Sequence, residues 1–145
     1  QTLVVTGGSQ GGMQAIVTAA LHPKVTGMMA NVPAGCELSP QSAGRMVGWP
    51  YWPYTRTKDK DIEKVIRTGQ YFDATNFASR IKCPVLIGVG GIDTTCPPVN
   101  VYAMINQITA PKEIVFMPGA THGSGHGAYY SRWGATASKY RNQGK

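Results

Sequence analysis

Four short runs of apolar, largely β-branched residues, each followed by a stretch with helical periodicity, limit the folds open to this chain more than any other feature. Thr2–Thr6 reads as a strand buried on both faces that stops at Gly7-Gly8. Gln10–Leu21 then places Met13, Ile16, Val17 and Ala20 on one helical stripe, and His22-Pro23 closes it because a residue before proline disfavours the helical region. Val25–Val32 reads as a second strand ending at Pro33. Ala34–Tyr54 is irregular and aromatic, carrying Trp49-Pro-Tyr-Trp-Pro-Tyr54. Lys58–Thr68 reads as a helix with Ile62, Val65 and Ile66 inward, and Thr75–Ser79 as a shorter one. Pro84–Val89 is the third strand, and Pro98–Ile108 a helix with Val101, Met104, Ile105 and Ile108 on its inner face. Glu113–Met117 is the fourth strand. Ala128–Arg141 is a closing helix with Tyr129, Trp133, Ala137 and Tyr140 at helical spacing. A strand-then-helix order repeated in this way predicts an α/β fold: a parallel sheet with helices on both faces and right-handed crossovers.

The 145 residues are 42% hydrophobic and 14% charged, enough apolar content for one core and too little bias for a disordered, collagenous or coiled-coil chain. No apolar run approaches the roughly 18 residues of a membrane span. Gln1-Thr2-Leu3-Val4-Val5 has neither a start Met nor a basic flank, so no signal peptide is expected and the chain is expected to begin inside a larger domain. Fourteen Lys and Arg against seven Asp and Glu leave +7, which raises the question of a polyanionic partner. Basic and aromatic residues are not interleaved, so a nucleic-acid partner is not expected. Cys36, Cys83 and Cys96 form no CxxC pair and are expected to be buried thiols.

In open parallel sheets the chemistry collects where strands run into loops at their carboxyl ends. Directly after the first strand stands Gly7-Gly-Ser9-Gln-Gly11, and a Gly-x-Ser-x-Gly turn between strand and helix lifts a serine hydroxyl above the sheet. The blander reading is a glycine-rich turn whose serine caps the helix. A nucleophilic serine needs a base and an orienting acid, because a free hydroxyl is a weak nucleophile near neutral pH. Asp93 follows the third strand in Gly90-Gly-Ile-Asp93, and His122 follows the fourth in Gly119-Ala-Thr-His122. The chain order Ser9, Asp93, His122 is the one used by α/β-hydrolases. Glu37, after the second strand, is an alternative acid, and His126 an alternative base. His122 and His126 also form an HxxxH pair, but the surrounding glycines and the lack of a third nearby ligand argue against a metal. With neither GxGxxG nor a Walker lysine in the glycine turn, no nucleotide cofactor is expected.

Thr6-Gly-Gly-Ser-Gln-Gly-Gly12, Tyr71-Phe-Asp-x-x-Asn-Phe-Ala78, Arg80-Ile-Lys-Cys-Pro-Val85, Gly91-x-Asp-x-x-Cys-Pro-Pro98 and Pro111-Lys-Glu-Ile114 resemble the acetyl xylan esterase and cephalosporin C deacetylase family of α/β-hydrolases. The resemblance implies a serine esterase that deacetylates small acetylated sugars or related esters, needs no cofactor and often assembles as a homo-oligomer. By position it implies Ser9 as nucleophile, Asp93 as acid, His122 as base and the Gln10 amide as one oxyanion donor. The family usually has Glu after the base histidine, where this chain has Gly123. The resemblance begins at the nucleophile strand, so it implies that the first half of the domain, with its second oxyanion amide, is absent and that the 145 residues alone are inactive. Trp49, Tyr51 and Trp52 are candidates for the wall of an acyl or sugar pocket, or else for a hydrophobic cap or subunit contact. The competing readings are a prolyl-oligopeptidase-type peptidase, which shares the residue order, and a non-catalytic hydrolase-like module.

Overall fold

The structure, a computed structural model, describes residues 2–51, 55 and 60–143. Its elements in chain order are β1 (Val4–Gly8), α1 (Gln10–Leu21), β2 (Gly27–Asn31), a 3₁₀ turn (Pro40–Ala43), α2 (Ile62–Gly69), a second 3₁₀ turn (Gln70–Phe72), α3 (Thr75–Ala78), β3 (Val85–Gly90), α4 (Pro98–Ile105), β4 (Lys112–Met117) and α5 (Gly127–Gln143). The strands form one all-parallel sheet in the order β1-β2-β3-β4. Gly8 pairs with Asn31 and Asn31 with Gly88, so the carboxyl ends of the first three strands lie in one row. The loops that follow them therefore meet along a single edge.

Alternation along β2 and β3 sends their side chains into two cores. Met28, Ala30, Val85, Ile87 and Val89 pack with Ala15 and Ile16 of α1, Ala78 of α3, and Val101, Met104 and Ile105 of α4. Met29, Leu86 and Met117 pack with Tyr129 of α5, flanked by Trp133 and Ala137. Helices cover both faces, as the strand–helix alternation predicts, and every residue of β2 and β3 is buried in consequence.

Some boundaries shift for physical reasons. β1 starts at Val4 and continues through Gly7-Gly8 instead of stopping before them. It is half-exposed, not buried on both faces, because among the described residues it pairs with β2 alone and lies at a sheet edge. Helix α2 starts at Ile62, where the Asp61 carboxylate caps it by accepting the Lys64 N–H at 3.2 Å. Ile62 is 39% exposed and does not face inward, and residues 58 and 59 lie outside the described residues. Helix α4 ends at Ile105 in tighter turns, yet Ile108 is still buried beside it. All three cysteines are buried and free. Among the described residues no helix is long and apolar enough to cross a membrane.

The excursion after β2 is tied down by one buried carboxylate. Asp73 accepts the N–H groups of Glu37 at 2.9 Å, Leu38 at 2.6 Å and Thr75 at 2.8 Å, which explains the aspartate of the Tyr71-Phe-Asp73 block. Further along, the Trp49 N–H donates to the Thr95 carbonyl at 2.7 Å, docking the aromatic run on the loop that carries Asp93.

Candidate active site

Ser9 occupies the corner between β1 and α1 with φ 52° and ψ −121°, a left-handed conformation that costs a non-glycine residue about 1–3 kcal/mol. Backbone hydrogen bonds hold it there. The Ser9 N–H donates to the Asn31 carbonyl at 3.0 Å, and the Ser9 carbonyl accepts from Met13 at 3.1 Å and Ala34 at 3.0 Å. Glycine is required on the strand side of the corner, because a Cβ on Gly7 would run into the Gly11 carbonyl group. The Ser9 side chain does not cap α1, which removes the blander reading of this turn. Gln10 opens α1, so its amide belongs to the first-turn N–H groups that lack an intrahelical acceptor.

The Ser9 hydroxyl meets His122 instead, with 2.8 Å between Oγ and Nε2. On the other side of the ring, Nδ1 lies 2.8 Å from Asp93 Oδ2. The Asp93 side chain is fully buried, and its second oxygen accepts the N–H groups of Thr95 and Cys96, each at 2.8 Å. An ionised carboxylate only accepts, so the consistent assignment puts the imidazole proton on Nδ1 and leaves Nε2 to accept from the Ser9 O–H. The half-buried ring and serine remain open to solvent on one side.

The alternatives are placed elsewhere. Glu37 pairs through both carboxylate oxygens with Arg45 and does not reach His122. His126 bonds Asn31 Nδ2 through Nδ1 at 3.0 Å and the Thr121 carbonyl through Nε2 at 2.8 Å. The two histidines of the HxxxH pair therefore have different partners, His126 bonding Asn31 and Thr121 while His122 bonds Asp93 and Ser9. Asp93, Cys96 and His122 each bring a ligand-type atom within 4.8 Å of the others, the set that would hold a cation. In the structure both nitrogens of His122 are already engaged, by Asp93 and Ser9.

Of the aromatic run, Trp49 is half-buried against the core and Tyr51 donates its hydroxyl proton to the Thr94 carbonyl at 3.1 Å. Both residues brace the 93–96 loop. Trp52 lies outside the described residues. Two neighbours of the site were not singled out by the sequence. Asn31, a buried amide at the end of β2, offered only the signal of one polar residue closing an apolar strand. Cys96 lies beneath Ser9 and Asp93. Burial first, and then the Asp93 charge, push its thiol from 9.0 up to about 12, against a hydrogen bond with the Ser9 side chain that acts the other way.

Known proteins resemble this chain in sequence and in fold. The family model for acetyl xylan esterase (AXE1) matches residues 1–134. Acetyl esterase Axe7A of Xylanibacter ruminicola is 42% identical over 118 residues, covering 81% of this chain and 26% of that protein. The acetyl xylan esterase from Paenibacillus sp. R4 superposes with a TM-score of 0.78 at 28% identity, covering 96% of this chain and 44% of that one. Acetyl xylan esterase 1 from Thermoanaerobacterium sp. JW/SL YS485 gives 0.73 at 28% identity, covering 94% and 44%. The chain thus spans less than half the length of these relatives. With the family model extending from β1 into the first half of α5, and an acetyl esterase 42% identical over most of the chain, this protein belongs to the acetyl xylan esterase (AXE1) family.

Proposed function

We propose that this chain carries the acyl-transfer centre of a serine esterase that removes acetyl groups from acetylated carbohydrates. The observation that carries this reading is the unbroken relay from Ser9 Oγ through His122 to Asp93, with 2.8 Å at each step, mounted on a strained corner. In the first step His122 Nε2 takes the Ser9 proton as Oγ attacks the ester carbonyl, giving a tetrahedral oxyanion. The Gln10 amide at the start of α1 is the candidate donor to that oxyanion. His122 then gives its proton to the sugar oxygen as the C–O bond breaks, so the sugar leaves as a free hydroxyl and an acetyl-serine remains. Water, deprotonated by the same imidazole, releases acetate. Asp93 holds the Nδ1–H tautomer and balances the imidazolium that forms twice per cycle. Tyr51, 38% exposed and bonded through its hydroxyl to the 93–96 loop, is the candidate among the described residues of the aromatic run to meet a sugar.

We also propose that the 145 residues alone turn over esters slowly. The chain spans 44% of the Paenibacillus enzyme, and loss of one oxyanion donor typically costs a factor of about 10²–10³. Incubation with excess p-nitrophenyl acetate followed by peptide mass mapping tests both readings. Acetylation confined to Ser9, at a rate about 10²–10³ below that of an intact acetyl xylan esterase, is the expected result. Absence of acetyl-Ser9, or faster release from a peptide amide than from an acetylated xylo-oligosaccharide, would refute the esterase reading. Turnover equal to the intact enzyme's would refute the second proposal alone.

A further inference from the structure

His126 has no place in the relay, yet both of its ring nitrogens are engaged. Its partners come from opposite sides of the site. Asn31 stands at the carboxyl end of β2, and its backbone carbonyl receives the Ser9 N–H at 3.0 Å. The same residue's side-chain Nδ2 lies 3.0 Å from His126 Nδ1. His126 Nε2 lies 2.8 Å from the carbonyl of Thr121, the residue directly before His122. The bonds therefore close a ring: Ser9 to Asn31, Asn31 to His126, His126 to Thr121, along the chain to His122, and from His122 back to Ser9.

We infer that His126 is a positioning residue that fixes the distance between the nucleophile corner and the base loop, an inference that rests on the esterase reading of Ser9 and His122. Two features favour this role over that of an ordinary loop histidine. First, the bonds demand one tautomer. A carbonyl only accepts, so Nε2 must carry a proton toward Thr121, and Nδ1 must then be bare to accept from the Asn31 amide. Rotating that amide would turn Oδ1 toward Nδ1 and require an imidazolium with both nitrogens protonated. Second, His126 is anchored independently of the relay. Its carbonyl accepts the Tyr130 N–H at 3.1 Å in the first turn of α5, and Tyr129 in that turn is fully buried in the second core. The loop bearing His122 is thus referenced to the sheet and to α5 through one side chain, which is where an imidazole that must return to the same serine twice per cycle needs support.

The test uses the isotope-labelled chain and long-range proton–nitrogen correlation spectra of its three histidines. His126 is expected to carry its proton on Nε2, and the Nδ1 proton of His122 to exchange slowly with water. In His126→Phe that exchange is expected to accelerate about tenfold or more, the scale of losing two hydrogen bonds of ordinary strength. His126→Gln should restore much of the protection, because its amide keeps one acceptor and one donor at a similar separation. An Nδ1–H tautomer at His126, or unchanged His122 exchange in a folded His126→Phe chain, would overturn the inference. The tautomer is read from the unsubstituted chain, so it decides the matter even where Phe prevents folding. Fluorophosphonate labelling separates this from the functional reading. An unreactive Ser9 with His126-dependent protection of His122 supports the positioning role and rejects the esterase. A reactive Ser9 with the wrong His126 tautomer does the reverse.

Discussion

Ser9 Oγ and His122 Nε2 stand 2.8 Å apart although 113 residues separate them in the chain. The parallel register and two unrelated loops must agree for that distance to arise. The Ser9 N–H is pinned to the end of β2, and the His122 loop is held by Asp93 on one side and by the Thr121 carbonyl bond on the other.

Replacing Asp93 by Asn is expected to lower the rate of acetyl transfer to Ser9 by about 10⁴, the scale seen when such an acid is exchanged for an amide that favours the wrong tautomer. The Asn side chain can still accept from Thr95 and Cys96, so the loop should persist. Fluorophosphonate labelling kinetics alongside circular dichroism provide the check, and a loss of less than tenfold would count against the assigned role.

Asp73→Ala should destabilise the chain by about 3 kcal/mol or more, because three backbone N–H groups lose a charged acceptor at once. Urea unfolding measures this. The site should loosen along with it, since Glu37 and Leu38 lie on the excursion that leads to Trp49 and the 93–96 loop.

Gly88→Ala should cost about 1–3 kcal/mol as an overpacking change. A Cβ there would collide with Asn31 Oδ1 and come within 2.7 Å of the Tyr129 ring. The ring joining Ser9, Asn31 and His126 passes through the same place, so slower phosphonate labelling is expected even where the variant stays folded.

The fold favours the protonated thiol of Cys96, whose pKa rises from 9.0 to about 12. The unfolded chain gives up this proton first, so the contribution to stability is complete below about pH 9 and declines as the pH rises toward 12. Cys36 and Cys83 are shifted the same way by burial. Urea midpoints should therefore fall between pH 9 and 11, and iodoacetamide should modify these thiols slowly in the folded chain. Rapid alkylation of Cys96 at pH 8 without unfolding would contradict this.

Among the described residues β1 pairs on its β2 side only, and an unpaired edge invites a further strand. We expect the isolated chain to self-associate with rising concentration. Sedimentation showing a monomer throughout the millimolar range would exclude it.

Much of this architecture was legible beforehand for definite reasons. Fully buried parallel strands need unbroken apolar runs, which made Pro84–Val89 visible, and the serine corner needs glycines that few other turns require. The half-exposure of β1 was not legible, because Val4 and Val5 read the same whether one neighbouring strand pairs with them or two. Nor did periodicity distinguish Ile62, at the exposed start of α2, from Val65 and Ile66 one turn later.

The strand–helix order, the glycine-flanked serine turn, and the carboxylate and imidazole at the ends of later strands are all written along the chain. Local propensity and spacing encode these, since each depends on residues close together in the chain. Which of His122 and His126 bonds Ser9, and which of Asp93 and Glu37 bonds His122, follows instead from packing between distant segments. Both choices depend on which side of a glycine-rich loop faces the end of β1. That is set by strand register, by the seat of Tyr129 in the second core, and by a buried Asn31 that joins Ser9 to His126 across 95 residues.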